Sequence, residues 1–295
     1  MSKNLFAALI GCPNVGKSSI LNRLLGRKLA IVSPKPQTTR SKITGVFTRG
    51  ETQFVFTDTP GLHKPRTLLG ENMVKAIGEG IDGGDLAVLV TGPKGEPRLT
   101  EAELLERCKK LKLPVILAVN KIDMLESKSL LLEKLAMFAP LYDFTAQIPV
   151  SALKNDGIST LLDELESHAT EGPHFFPDDM LTDQPERVLA AEIIREKLLL
   201  NLQQEVPHET AVIVEEWGER TDGLLSIGAA IYCGKARHKG MILGKNGETI
   251  KKISTSARED MERFFGCKVY LRCFVKSREG WKNSAGTLKE LGLLH

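Results

Sequence analysis

Eight consecutive residues near the start of the chain, Gly11-Cys12-Pro13-Asn14-Val15-Gly16-Lys17-Ser18, fit the pattern G-x-x-x-x-G-K-[ST]. The glycines let the backbone wrap a phosphate with its N–H groups turned inward, and a helix start behind it adds positive potential. Lys17 is placed to reach the β- and γ-phosphates. Ser18, with Ser19 next to it, offers a hydroxyl to Mg²⁺. Asp58-Thr59-Pro60-Gly61 closes an apolar strand pattern 41 residues after Lys17. A carboxylate there suits the Mg²⁺ shell, and the Gly61 N–H suits the γ-phosphate, with Leu62 following. Asn120-Lys121-Ile122-Asp123 ends another apolar run. Asp123 can accept from guanine N1–H and the 2-amino group, a donor pair that adenine lacks, so the wrong base leaves a carboxylate unpaired. Asn120 can hold the neighbouring loops, the stem of Lys121 can cover the ring, and Ser151-Ala152-Leu153 can offer a backbone N–H to guanine O6. Any of these quartets alone is a common turn; in this order they specify a guanine nucleotide.

A second constellation lies near the other end. Ile242-Leu243-Gly244-Lys245-Asn246-Gly247-Glu248-Thr249-Ile250 holds a G-x-x-G turn between an apolar pair and an amphipathic helix pattern. Such a loop brings backbone close to the phosphates of a single strand. Lys239, Lys245, Lys251 and Lys252 surround it, with Asn246 at its tip. Residues 235–282 carry thirteen Lys or Arg against five Asp or Glu. That local excess suits a polyanion, although the whole chain is nearly balanced at +3, with 40 basic and 37 acidic residues.

The elements that must position these residues follow from periodicity. Leu5–Gly11, Ile43–Thr48, Gln53–Asp58, Leu86–Thr91 and Val115–Asn120 read as strands, and helical patterns at about 17–25, 67–81, 98–112, 127–139 and 156–168 separate or follow them. Strands alternating with helices predict a doubly wound α/β domain with a mostly parallel sheet over residues 1–170. Residues 171–183, rich in Gly and Pro, read as a linker. Beyond it, over 184–295, the order helix (184–204), two strands (209–217 and 224–233), glycine-rich turn (240–247), helix (248–265) and strand (268–276) predicts a smaller α+β domain, of order α-β-β-α-α-β if the short 235–243 segment is helical. At 295 residues with 42% hydrophobic and 26% charged content, disorder over the whole length is excluded. No apolar run approaches the roughly 20 residues that span a bilayer, and the five cysteines form no zinc-like pattern. The expectation is a cytoplasmic chain with reduced thiols.

The first ~170 residues resemble GTP-binding domains of the translation-factor-related class. Gln37-Thr38-Thr39-Arg40 falls where that class has its switch threonine, which implies Thr39 as a ligand of Mg²⁺ and the γ-phosphate, with Thr38 as the other candidate. The Gln that follows D-x-x-G in Ras-like GTPases is replaced here by Leu62, so slow intrinsic hydrolysis is expected. Relatives with an apolar residue there imply that Asn14 helps to hold a K⁺ ion. A GTPase domain joined to a type II KH domain is similar to the Era family of bacterial GTPases. The resemblance includes Asp58-Thr59-Pro60-Gly61-Leu62-His63, Ala190-Ala191-Glu192-Ile193-Ile194-Arg195-Glu196-Lys197-Leu198 and the Gly244–Gly247 loop.

It implies a GTP- and Mg²⁺-dependent switch that binds the 3′ end of 16S ribosomal RNA, helps to mature the 30S subunit, acts as a monomer and associates peripherally with the inner face of the membrane. Lys17, Asn14, Thr39 and Gly61 are the expected catalytic set, and Ser18, Thr39 and Asp58 the metal set. Lys239, Ile242, Gly244, Lys245, Asn246, Gly247, Ile250, Lys251 and Lys252 are the expected RNA contacts. Two other classes stay open: a P-loop kinase or ATPase, against which Asn120–Asp123 argues, and a GTPase that works mainly through a membrane or protein partner.

Overall fold

The computed structural model describes every residue except His63, Asp222 and His295, so the family-like His63 lies outside the described residues. The chain divides into two compact units, Met1–Arg66 with Gly70–Asp183, and Thr67–Leu69 with Gln184–His295.

The first unit is built on β1 (Lys3–Ile10), β2 (Ile43–Arg49), β3 (Thr52–Asp58), β4 (Leu86–Thr91), β5 (Val115–Val119) and β6 (Ala146–Pro149), in the spatial order β2-β3-β1-β4-β5-β6. Every pairing along that path is parallel except the β2–β3 hairpin. All residues of β4 and β5 are buried, as expected of strands covered by helices on both faces. The helices are α1 (Lys17–Leu24), α2 (Leu68–Asp82), α3 (Leu99–Lys110), α4 (Lys128–Phe138) and α5 (Ile158–Ser167). Helix α1 buries Ile20, Leu21 and Leu24, and α5 buries Ile158, Leu161, Leu162 and Leu165, the apolar stripes legible in sequence. In such a sheet the loops at the carboxyl ends of the strands form the ligand crevice. Gly11, Asp58, Asn120 and Ser151 all lie at or just beyond those ends.

Residues 171–183 are not a free tether. Strand β7 (Thr170–Glu171) pairs antiparallel with β1. The buried Gln53 then accepts from the Phe175 and Phe176 N–H groups and donates to the Phe176 carbonyl at 2.8 Å. Further on, the Leu181 carbonyl accepts from the Val46 N–H at 2.8 Å, and the Thr182 hydroxyl donates to the Thr44 carbonyl.

The second unit has α6 (Glu186–Asn201), β8 (Thr210–Glu219), β9 (Leu225–Cys233), α7 (Ala236–Leu243), α8 (Glu248–Phe265), β10 (Val269–Ser277) and a short α9 (Ala285–Glu290). Its sheet has the order β10-β9-β8, with β9 antiparallel to β8 and parallel to β10. Ala190, Ile194 and Leu198 of α6, Ile253, Ala257 and Met261 of α8, and Ile227, Ala229 and Ile231 of β9 share one core. Lys197 of α6 donates to Asp260 of α8, which gives a structural role to the 190–198 segment. The segment 235–243 takes the helical option, which shortens the glycine-rich turn read at 240–247. Gly240 sits inside α7, where its carbonyl accepts from the Gly244 N–H, so only residues 244–247 form the turn.

Candidate functional site

The loop between β1 and α1 wraps a cavity of about 300 Å³, lined by Asn14, Lys17, Ser18, Pro34, Thr39 and Lys121 among others. Gly16 caps α1 at φ 100°, in the left-handed region, and a Cβ there would meet the Asn120 amide nitrogen at 2.2 Å. No residue with a side chain fits that approach. Lys17 is 6% exposed, and its Nζ donates to the Gly11 and Cys12 carbonyls at 3.1 Å each, which holds it along the loop. Burial lowers its pKa, opposed by the Asp58 charge.

Ser18, Thr39 and Asp58 converge although 40 residues separate the first from the last. The Ser18 hydroxyl donates to Asp58 Oδ2 at 2.6 Å, the Thr39 hydroxyl to the same oxygen at 3.3 Å, and the two hydroxyls lie 3.0 Å apart. Asp58 is fully buried and its Oδ1 has no hydrogen-bond partner among the described residues. Burial raises its pKa, against the pull of Lys17 and the two hydroxyls. An orphaned, buried carboxylate oxygen beside two hydroxyls fits a hard divalent cation with oxygen ligands. Thr38 also lines the cavity, but its hydroxyl is engaged within its own loop: it donates to the Lys35 carbonyl at 2.8 Å and lies 2.9 Å from Ser33 Oγ.

The base-selecting loops are tied to the phosphate loop. The Asn120 amide donates to the Val15 carbonyl at 2.8 Å and accepts from the Ala152 N–H at 3.1 Å. Lys121 donates to the Asn14 carbonyl at 2.6 Å. The Ser151 N–H goes to the Asp156 carbonyl, so of the three backbone donors expected at guanine O6, Leu153 carries the one left uncommitted among the described residues.

Three side-chain contacts around the site were not legible in the sequence. Ser151 acts through its side chain, donating to the exposed Asp123 carboxylate. Arg23 of α1 holds the Ala152 and Leu153 carbonyls at 2.7 and 3.1 Å, and the Asn22 amide pins the backbone of Leu29 and Ala30. The Arg23 partners lie up to 130 residues away, so no local signal marked that residue.

Some expected contacts are redirected. Cys12 turns its sulfur to the Thr100 hydroxyl at 3.0 Å, leaving only its backbone toward the cavity. Thr59 is fully buried and spends its hydroxyl on the Leu9 carbonyl at 2.8 Å, so it pins β3 to β1 and does not face a nucleotide. Gly61 packs against Pro13, where a Cβ would come within 2.6 Å of its backbone. The Leu62 N–H donates to the Gly11 carbonyl. Val15 is 6% exposed, Ser19 and Ile122 are half-buried, and Pro60 is buried.

In the second unit, Gly244 has φ 72° and a Cβ on it would lie 2.1 Å from Thr249 Oγ1. Asn246 at φ 51° and Gly247 at φ 79° complete a turn that delivers α8 with its N-terminus beside the loop. Lys239, Lys245, Lys251 and Lys252 are exposed, and none makes an ion pair among the described residues. Ile242 is a correction. It is fully buried in the core, so it supports the loop from below and touches no ligand, while Ile250 packs half-buried at the core's edge.

Comparison with known proteins agrees with both units. Residues 6–121 match the model of a family described as 50S ribosome-binding GTPase, and residues 205–282 match that of the KH domain. The chain is 49% identical over 290 residues to GTPase Era of Ruminiclostridium cellulolyticum, covering 98% of this chain and 97% of that protein. It is 43% identical over 293 residues to GTPase Era of Clostridioides difficile, covering 99% of each. A crystal structure of a point variant of Aquifex aeolicus Era bound to GDP and AlF4⁻ superposes with a TM-score of 0.96 at 34% identity, covering 99% of this chain and 100% of that one. Era in complex with MgGDPNP and nucleotides 1506–1542 of 16S ribosomal RNA also gives 0.96, at 33% identity and full coverage of both chains.

Proposed function

The chain belongs to the Era family of GTPases, and on that footing we propose that it is a switch that binds the 3′ end of 16S ribosomal RNA through its KH domain and assists assembly of the small ribosomal subunit in the cytoplasm. The enzyme hydrolyses GTP to GDP and phosphate. Mg²⁺, held by Ser18 and Thr39 with Asp58 behind them, would supply positive charge to the phosphate oxygens. Lys17 and the backbone of residues 11–18 bind and orient the phosphates, and Asn120, Asp123 and the Ser151–Leu153 loop select guanine. Thr39 ties the 33–41 loop to the phosphate end of the site, so the loop is ordered by the triphosphate and released after hydrolysis.

Leu62 has no group with which to orient water, which supports slow intrinsic turnover. The Asn14 amide donates to the Pro34 carbonyl at 3.1 Å. That pairing of a side-chain amide with a loop carbonyl supports a K⁺ site at the same edge of the cavity; equal hydrolysis rates in KCl and NaCl would refute it.

The observation that carries the RNA assignment is the Gly244–Gly247 turn ringed by exposed lysines that have no acidic partner among the described residues. The test is a pair of RNA pull-downs from a bacterial lysate, one with the protein loaded with a non-hydrolysable GTP analogue and one with GDP, followed by sequencing. Enrichment of the 3′ end of small-subunit ribosomal RNA, stronger with the analogue, is expected. No enrichment in either state would overturn the assignment and turn the search to membranes and protein partners.

A further inference from the structure

The loop that follows β6 spends nearly all of its backbone groups on partners within the protein. The Ser151 N–H and carbonyl are both exchanged with Asp156, at 2.9 and 3.1 Å. The Ala152 N–H goes to Asn120 Oδ1 and the Lys154 N–H to Ser151 Oγ, each at 3.1 Å. The carbonyls of Ala152 and Leu153 accept from a single side chain, that of Arg23 in the last turn of α1. Its Nε lies 2.7 Å from the first carbonyl and its Nη2 3.1 Å from the second. The Leu153 N–H is left as the one donor of 151–154 without a partner among the described residues. The Leu153 side chain is 71% exposed, so packing does not hold this residue in place. Arg23 makes no ion pair among the described residues, so its fork is committed to these two carbonyls.

A peptide group is planar and trans, so its carbonyl and its N–H point in opposite directions. The Ala152 carbonyl and the Leu153 N–H belong to one such group. By gripping that carbonyl, Arg23 fixes the direction of the N–H, on the side away from α1. The Arg23 contact with the Leu153 carbonyl fixes the next peptide plane, so the residue is held from both sides. A cationic donor also draws electron density toward the carbonyl oxygen, which makes the N–H at the other end of the same group a stronger donor. We infer that Arg23 is a positioning residue for guanine selection, aiming and polarising the Leu153 N–H toward O6 of the base. This rests on the reading of the 151–153 loop as the O6 donor. Asp123 reads the N1–H and the 2-amino group, so changes to the base itself separate the two devices. Lysine is no substitute, because a flexible point donor cannot bridge two carbonyls in a fixed fork.

The test measures binding of GDP, 6-thio-GDP and IDP to the full-length protein with Mg²⁺, by displacement of a fluorescent GDP analogue. In 6-thio-GDP a weakly accepting sulfur replaces O6, while N1–H and the 2-amino group remain. IDP keeps O6 and N1–H and lacks the 2-amino group. Arg23→Met keeps an apolar stem at an exposed position and removes the fork, and an unchanged thermal melt verifies the fold. Arg23→Lys is the conservative variant. The methionine variant is expected to bind GDP about tenfold more weakly, the worth of one hydrogen bond. Its preference for GDP over 6-thio-GDP shrinks by about the same factor, its preference for GDP over IDP stays as in wild type, and Arg23→Lys lies between the two. Equal weakening of all three nucleotides would overturn the inference, since the residue would then only support the pocket. An unchanged preference for GDP over 6-thio-GDP in the methionine variant would overturn it as well. If the wild-type protein itself does not prefer GDP to 6-thio-GDP, the O6 reading of the loop fails and the role of Arg23 falls with it.

Discussion

Asn120→Ala removes a side chain that joins the phosphate loop to both the 120–123 and the 151–153 loops. Asn120 is 1% exposed, donates to the Val15 carbonyl and accepts from the Ala152 N–H. Each bond contributes about 1 kcal/mol, and a backbone group left buried without a partner costs a further ~1–3 kcal/mol. Water reaches part of the vacated space, so the summed loss in nucleotide binding is about 2–4 kcal/mol. At roughly 1.4 kcal/mol per decade, affinity falls about 30- to 1000-fold. The substitution acts on loop placement and not on the γ-phosphate, so GTP and GDP weaken by the same factor. Titration with fluorescent GTP and GDP analogues measures both, and a melt of the nucleotide-free protein checks the fold. Affinity within threefold of wild type, or a loss confined to GTP, would refute the argument. Thr39→Ala is the contrast, because its hydroxyl stands at the Ser18–Asp58 end of the cavity.

Asp123→Asn keeps the shape but turns one of the two acceptor oxygens facing the guanine donors into an NH2 donor, so the preference for GTP over XTP shrinks; competition binding checks this, and an unchanged preference would remove the assigned role. Gly244→Ala is expected to destabilise the second unit more than Gly247→Ala. Both have positive φ, costing about 1 kcal/mol, but only Gly244 adds a clash with Thr249. Thermal melts of the two variants give the order, and equal losses would contradict it. The 171–183 strap should respond to pH. His174 has its pKa raised by the Glu51 carbonyl and by Asp178, whose carboxylate lies 2.6 Å from Nδ1. A raised folded value means that the contribution is fully present below the unfolded pKa of about 6.5 and is lost as pH rises through the folded one. NMR titration of the His174 ring should give a midpoint above the ordinary value, and Asp178→Asn should lower it.

The guanine-nucleotide motifs were legible because phosphate and base chemistry demand particular residue types at consecutive positions, next to the end of a strand. Apolar runs such as Val115–Val119 announced buried parallel strands for the same reason, since both faces must be covered. The 171–183 segment shows the limit. Its glycine and prolines describe how a chain bends, but whether it is loose depends on Gln53, some 120 residues earlier. The same holds for the hydroxyl of Thr59 and the side chain of Ile242, whose types allowed a ligand contact that their actual neighbours take up.

What the amino-acid sequence determined by itself was the local chemistry: the phosphate loop, a carboxylate at Asp123 suited to guanine, the two-glycine turn and the alternation that makes an α/β sheet. Only the tertiary structure decided that Thr39, and not Thr38, joins Ser18 and Asp58, that Ser151 holds Asp123 through its side chain, and that Arg23 braces the base loop. Backbone geometry is dictated by neighbours in the chain, whereas the aim of a hydroxyl or an amide depends on which distant groups packing leaves without a partner.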